Sequence, residues 1–132
     1  MMAVATGRTN VDYVILYVDD LDEAVAFYRE VAGVETRVNG DGYVEFATGP
    51  TRFALYDRAR LEELTGSREA CGEICFVVED VDAEAERLRA SGAQILSGPV
   101  DRPWGHRTLH VAGPGGHIVE FAHKIPRQQQ RD

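Results

Sequence analysis

Two rhythms of apolar residues alternate along the chain. Tyr13-Val14-Ile15-Leu16-Tyr17-Val18 is wholly aliphatic and aromatic, rich in β-branched residues, and predicts a strand. Asp20-Leu21-Asp22-Glu23 follows as an N-cap with a carboxylate three residues on. Leu21, Ala24, Val25, Tyr28, Val31 and Ala32 then fall on one helical stripe, and Gly33 is placed to end it. Three short strands are predicted next, Val34–Val38, Tyr43–Ala47 and Thr51–Tyr56. Asn39-Gly40-Asp41-Gly42 and Gly49-Pro50 supply the turns.

The same order returns sixty residues later. Glu73–Val78 predicts a strand, and Asp80 caps a helix with Val81, Ala85 and Leu88 on its inner face, closed by Gly92. Ala93–Leu96 predicts a strand. A hairpin follows: His106–Val111 alternates, Gly113-Pro114-Gly115-Gly116 turns, and His117–Phe121 returns. Val18/Val78, Asp20/Asp80, Asp22/Asp82 and Arg29/Arg89 are identical across the shift, which points to an internal duplication. The predicted organisation is an N-terminal arm over 1–10 and one α+β domain over 11–124. That domain has module one at 11–57, a linker at 58–70 with a short helical pattern, and module two at 71–124. A flexible tail fills 125–132.

Alternation sorts the strand faces. Val14, Leu16 and Val18 take the face a helix covers, and Tyr13, Ile15 and Tyr17 take the other. By the same parity Arg52, Ala54 and Tyr56 of the fourth strand point away from the helices. So do Glu73, Cys75 and Val77 of the fifth strand and Ile118, Glu120 and Ala122 of the eighth. The facing of the seventh strand is left open, with His110 and His117 expected on outer or rim positions. One face of the sheet is therefore dry, and the other mixes rings with acids, as the wall of a cleft does.

Composition narrows the partners. The 132 residues carry a formal charge of −8 and a pI near 4.9, which argues against a nucleic-acid backbone and favours neutral or cationic ligands. No apolar run approaches the ~20 residues of a membrane span, and the start lacks the apolar core of a signal peptide, so a cytoplasmic protein is expected. Cys71 and Cys75 lie about 13 Å apart if both are in one extended strand, too far for a disulfide, and are expected as buried free thiols. His110, His117 and His123 have no triad partner at recognisable spacing, and Cys75 has no activating neighbour in view.

Paired β-α-β-β-β modules bearing Tyr13–Leu21 with Phe27-Tyr28, Glu73–Val81, and Gly113-Pro-Gly-Gly-His-Ile-Val-Glu120-Phe resemble the vicinal oxygen chelate superfamily. This superfamily holds glyoxalase I, bleomycin-resistance proteins and extradiol dioxygenases. The resemblance implies a curved eight-stranded mixed sheet forming a cup, and a homodimer. The last turn departs from the family, with Gly113 and Gly115 where aspartate is usual. Enzymes of the family bind a divalent metal through four inward residues, and the matching positions are Tyr13, Ala54, Glu73 and Glu120. Glu73 and Glu120 can ligate; Ala54 cannot, and a phenol is a poor ligand near neutrality. The expectation is accordingly no metal or cofactor and no catalysis, as in the bleomycin-resistance type. That type carries a Trp-Gly segment like Trp104-Gly105 in its cleft, where a rigid indole stacks on aromatic ligands for about 0.5–1.5 kcal/mol beyond area burial. The expected activity is sequestration of an aromatic antibiotic or natural product, cationic if the acids stay ionised. Tyr13, Ile15, Tyr17, Arg52, Ala54, Tyr56, Glu73, Cys75, Trp104, His106, Arg107 and Glu120 line the site. Arg52 neutralises one acid and Arg107 or His106 reaches another, or the acids hold a ligand amine. The alternative is a metal-dependent glyoxalase-type lyase, isomerase or dioxygenase in which His106 or His110 joins Glu73 and Glu120 around Fe²⁺, Mn²⁺ or Ni²⁺.

Overall fold

A computed structural model describes residues 10–66 and 68–126. The arm and tail expected from the sequence lie outside these residues, apart from Asn10, Ile125 and Pro126. The order is β1 (Tyr13–Val18), α1 (Leu21–Phe27), β2 (Thr36–Gly40), β3 (Tyr43–Phe46), β4 (Arg52–Asp57), α2 (Arg58–Thr65), β5 (Gly72–Val77), α3 (Val81–Ala90), β6 (Ile95–Arg102), β7 (His106–Ala112) and β8 (Ile118–Lys124). Asp20 and Asp80 cap α1 and α3 as predicted, and α1 runs into a π-helical turn over Tyr28–Ala32 that Gly33 ends in the left-handed region. Among the described residues no helix is long and apolar enough to cross a membrane.

The eight strands form one mixed sheet in the order β2-β3-β4-β1-β5-β8-β7-β6. The two modules meet where β1 pairs antiparallel with β5, and each contributes an equivalent parallel pair, β1 with β4 and β5 with β8. Three strands depart from their predicted bounds by more than one residue, β8 running on past Phe121 to Lys124. A register shift between Thr36 and Val38 moves β2 toward the Asn39–Gly40 turn. β6 extends well past Leu96 to Arg102 through irregular pairing with β7.

The helix-side face is dry. Val44, Phe46 and Leu55 form one buried cluster beneath Leu21 and Tyr28, and Val81, Ala85, Leu109, Val111 and Phe121 form the other. On the opposite face α2, expected as a polar linker with a short helical pattern, packs Leu61 against Tyr17 and Ile118, with Ile15, Tyr56 and Leu96 around them. α2 touches β4, β1 and β6. β4 and β6 are five strands apart, about 24 Å in a flat sheet, whereas eight helical residues span only about 12 Å. One short helix reaches both only because the sheet curls around it. The fold is therefore a cup whose mouth is partly stoppered by its own linker.

Candidate active site

β7 decides what the cup contains. His106, Thr108 and His110 alternate with Arg107, Leu109 and Val111, and the last two belong to the helix-side core. His110 therefore enters the cup, where it is 2% exposed, and the outer or rim placement expected for it is corrected. It sits opposite Glu120 in the β7–β8 register, and Glu120 sits opposite Cys75. His110 Nε2 lies 3.9 Å from Glu73 Oε1 and 3.9 Å from Glu120 Oε2. The Tyr17 hydroxyl donates a short hydrogen bond to Glu73 Oε1.

Electrostatics at this floor follow from burial. Loss of solvent, then the neighbouring Glu73 charge, pushes the Glu120 carboxyl well above the usual carboxylate range, which favours its protonated form. Burial lowers the His110 imidazole against the pull of Glu73 and leaves it neutral with a lone pair to offer. Burial and then the two acids push the Cys75 thiol up, and burial with Glu73 pushes the Tyr17 phenol up, so neither is a thiolate or phenolate. Two buried polar atoms here, Glu73 Oε2 and His110 Nδ1, have no hydrogen-bond partner among the described residues. Orphaned buried polar atoms are uncommon in folded chains and cost about 1–3 kcal/mol each.

These residues fit a divalent cation. One donor atom from each of Glu73, His110 and Glu120 lies within 4.8 Å of the others. Donors sharing one cation stand about 3–3.5 Å apart, so the two 3.9 Å histidine–carboxylate contacts would close by about 0.4–0.9 Å to hold one. Three protein ligands with an open position is the arrangement of a catalytic rather than a structural site. His110 thus supplies the donor that Tyr13 and Ala54 do not.

The remaining predicted residues divide. Tyr13 is half-buried in the cup beside Cys75 and Arg52 in the register. Ile15, Tyr17 and Tyr56 face the cup but are taken up by packing against α2, and Ala54 is fully buried. Arg52 faces the cup, yet its acid is Glu45, not Glu73 or Glu120. His106 is on the cup-facing side of β7, at the end near Lys124. Arg107 is a correction: it points to the helix side and pairs with Asp82 of α3 and Asp101 of β6, because parity with Leu109 and Val111 carries it there. Trp104 sits on the β6–β7 turn, 51% exposed, with the Arg102 guanidinium 6.0 Å from its ring. Cys75 is buried as expected, but Cys71 is exposed because β5 begins only at Gly72. His123 accepts at Nδ1 from the Val81 N–H and caps α3 from the helix side.

A second cluster joins Arg52 to Glu45, Arg37 and Tyr43, none of which the sequence singles out as a site residue. Glu45, paired with Ala54, is 4% exposed; its Oε2 accepts from Arg37 at 2.7 Å and Arg52 at 3.0 Å, and its Oε1 from the Tyr43 hydroxyl at 2.9 Å. Burial and then Glu45 push the Tyr43 phenol up, so it stays neutral. Alternation along β3, with Val44 and Phe46 apolar, is the signal that places Tyr43 and Glu45 in the cup. Beside α2 a cleft of about 190 Å³, lined by Leu61, Ala70, Leu96, His117 and Ile118, borders the packed stopper.

Comparison with known proteins agrees with this architecture. Residues 10–121 match the profile of the glyoxalase/bleomycin resistance protein/dioxygenase superfamily. A probable lactoylglutathione lyase of Vibrio parahaemolyticus is 29% identical over 120 residues, covering 83% of this chain and 86% of that protein. A virulence protein of Salmonella typhimurium, STM3117, is 25% identical over 122 residues, covering 87% and 84%. Among solved structures, a variant of Streptomyces coelicolor methylmalonyl-CoA epimerase in complex with 2-nitronate-propionyl-CoA superposes with a TM-score of 0.59. It is 25% identical, with 89% of this chain and 99% of that chain covered.

Proposed function

Because the chain belongs to the glyoxalase/bleomycin resistance protein/dioxygenase superfamily, we propose that its cup is an enzyme site for a small oxygen-bearing molecule. Glu73, His110 and Glu120 would hold a divalent cation there. The observation that carries this reading is their convergence inside the cup with two unpartnered polar atoms, Glu73 Oε2 and His110 Nδ1. A passive binding floor has no need of that cost. Relatives named as a lyase and an epimerase support catalysis over sequestration. When bound, the cation supplies Lewis-acid polarisation of a substrate oxygen.

The chain's own residues do the rest. The Tyr17 hydroxyl fixes the rotamer of Glu73 through Oε1, the oxygen 3.9 Å from His110 Nε2, while Oε2 has no partner among the described residues. Glu120 would ligate as the carboxylate, so uptake of a cation would be coupled to loss of whatever proton it carries. The neutral Tyr13 and Tyr43 phenols border the site without adding charge, and α2 excludes water by seating Leu61 on Tyr17 and Ile118.

Sequestration of an aromatic ligand remains as a second reading, favoured by the half-exposed indole of Trp104. Calorimetric titration of chelator-stripped protein with Mn²⁺, Ni²⁺ and Zn²⁺ separates the two. We expect a single ion per chain, lost in His110→Ala and weakened in Glu120→Gln. Wild-type protein that takes up no more ion than His110→Ala would defeat the enzyme reading.

A further inference from the structure

We infer that the molecule this cup accepts is an oxyanion, a carboxylate or phosphate, gripped by Arg37 and Arg52 at the far end of the cup from Glu73, His110 and Glu120. The inference rests on the proposed site only for what the other end of the ligand meets. It reverses the sign of ligand that the chain's net charge suggested.

The first support is register. His110, Glu120, Cys75, Tyr13 and Arg52 are successive partners across β7, β8, β5, β1 and β4, so their side chains share one face and one rung of the sheet. From Glu120 to Arg52 is three strand spacings, about 14 Å along the sheet and less across a curled one. A small molecule can touch both ends at once.

Charge is the second support. Glu45 needs a single guanidinium to neutralise it, and it has two, both on Oε2. The surplus is one positive charge in a chain of net −8. The cluster is also braced. Glu45 is buried and held from its other oxygen by Tyr43, so the two guanidinium groups it grips are fixed in orientation.

Open valence is the third. Each arginine spends Nη1 on Glu45, and among the described residues neither donates any other hydrogen bond. Their side chains remain 46% and 37% exposed. A guanidinium with its Nε and Nη2 edge free is shaped for bidentate capture of a carboxylate or phosphate. Between the two ends stand Tyr13, Cys75 and Ala54, all uncharged. The ligand is therefore an anion at one end with a neutral, apolar or aromatic body reaching toward the acid–histidine floor.

The test uses octanoate and octyl phosphate as single-ended probes, and succinate, adipate, suberate and sebacate as a ruler. Binding is measured by calorimetry on the full chain, once with chelator and once with Mn²⁺. Octanoate or octyl phosphate should bind in both conditions, and which binds more tightly identifies the anion. Arg37→Met and Arg52→Met should each weaken that binding about ten- to a hundredfold, the range of a lost charge-assisted hydrogen bond. Arg29→Met, which removes an exposed charge with only a loose partner, should leave it unchanged. With Mn²⁺ present the longer dicarboxylates should gain over octanoate, and succinate should not.

Unfolding midpoints are read first. Arg37 is on the edge strand β2, so its variant keeps the test open if Arg52→Met does not fold. Probes that bind equally to wild type and both arginine variants, or that fail to bind wild type, overturn the inference. Arginine-dependent binding with no gain from Mn²⁺ upholds the anion grip and overturns the metal reading instead.

Discussion

Arg58 should be worth more to this fold than any surface ion pair, and the reason lies in what its other nitrogens reach. Nε meets Asp19 at 2.8 Å, Nη1 meets the carbonyls of Arg68 and Ala70 at 3.0 and 2.6 Å, and Nη2 meets the carbonyl of Tyr17 at 2.9 Å. One side chain thus ties the end of β1, the start of α2 and the run into β5. Its exposure is 20%, against 76% for Asp19. The Asp19 contact is a solvent-exposed pair worth about 0–1 kcal/mol. The carbonyl contacts are charge-assisted, and losing them strands acceptors that cost about 1–3 kcal/mol each when buried. Since such contacts are not additive, Arg58→Met should lose about 3 kcal/mol in total, and Asp19→Ala less than about 1 kcal/mol. Urea unfolding reads this as a fall in midpoint at unchanged m. Hydrogen exchange should show the amides of α2 opening before those of β1, because the stopper loses its anchor first. Equal small losses in Arg58→Met and Asp19→Ala, or an Arg58→Lys protein as stable as wild type, would refute the reasoning.

Other substitutions probe different layers. A Cβ at Gly98 would stand 2.3 Å from the Thr108 carbonyl oxygen at a φ of +93°, so Gly98→Ala should destabilise by about 3 kcal/mol or more, read by thermal unfolding. Phe46 is fully buried and Val31 is 69% exposed, so Phe46→Ala should lose about 3–5 kcal/mol and Val31→Ala almost nothing in the same assay. Burial first, then Lys124 and His123, lowers the His106 imidazole below its usual value of about 6.5. The unfolded chain then takes up a proton that the folded one refuses. His106 therefore costs no stability above about pH 6.5, and stability is lost as pH falls from there toward the lowered folded value, at most ~1.4 kcal/mol per unit. Chemical denaturation across that window should give a shallower acid loss in His106→Gln than in wild type.

Much of the architecture is legible because each module repeats one plan with its own caps, and because β1, β4, β5 and β8 each carry an unbroken apolar parity. The chemistry is less legible, for particular reasons. In β7 the apolar pair Leu109 and Val111 continues into Arg107, a charge on the helix side, so parity there is ambiguous. Arg107 is tolerated because the end of the strand lies beside Asp82 in the first turn of α3. Once Leu109 and Val111 are assigned to the core, His110 has to enter the cup. The cluster around Glu45 is hidden differently: alternation places Glu45 itself in the cup, but its partner Arg37 lies between Thr36 and Val38, where the register with β3 shifts and simple alternation does not survive. α2 carries too little apolar character to announce that Leu61 is buried, since one leucine does the packing. The four family positions offer only two donors, Glu73 and Glu120; His110 lies on β7 outside them, and the sequence offers it only as an alternative to His106 because the facing of β7 is open.

The duplication gives these clusters a common origin in geometry. Cys75 pairs with Glu120 across β5–β8 as Ile15, sixty residues earlier, pairs with Ala54 across β1–β4. The next strand out places His110 opposite Glu120 and Glu45 opposite Ala54. Glu45 and His110 are thus the same position of the repeated plan, both buried and both facing the cup. In module two that position looks onto two carboxyls and supplies a lone pair. In module one it is itself the carboxyl, the partner opposite it has shrunk to alanine, and two arginines fill the space around it. Equivalent halves have diverged to opposite local charge on either side of the β1–β5 seam. On the proposed reading that difference would orient a ligand seated across the seam, its anionic end drawn to module one and its other end left over Glu73, His110 and Glu120. Removing one carboxyl from each half, with Glu45→Gln in module one and Glu120→Gln in module two, should therefore disturb orientation and cation retention separately. That separation is what two specialised half-sites require and what one uniform pocket would not show.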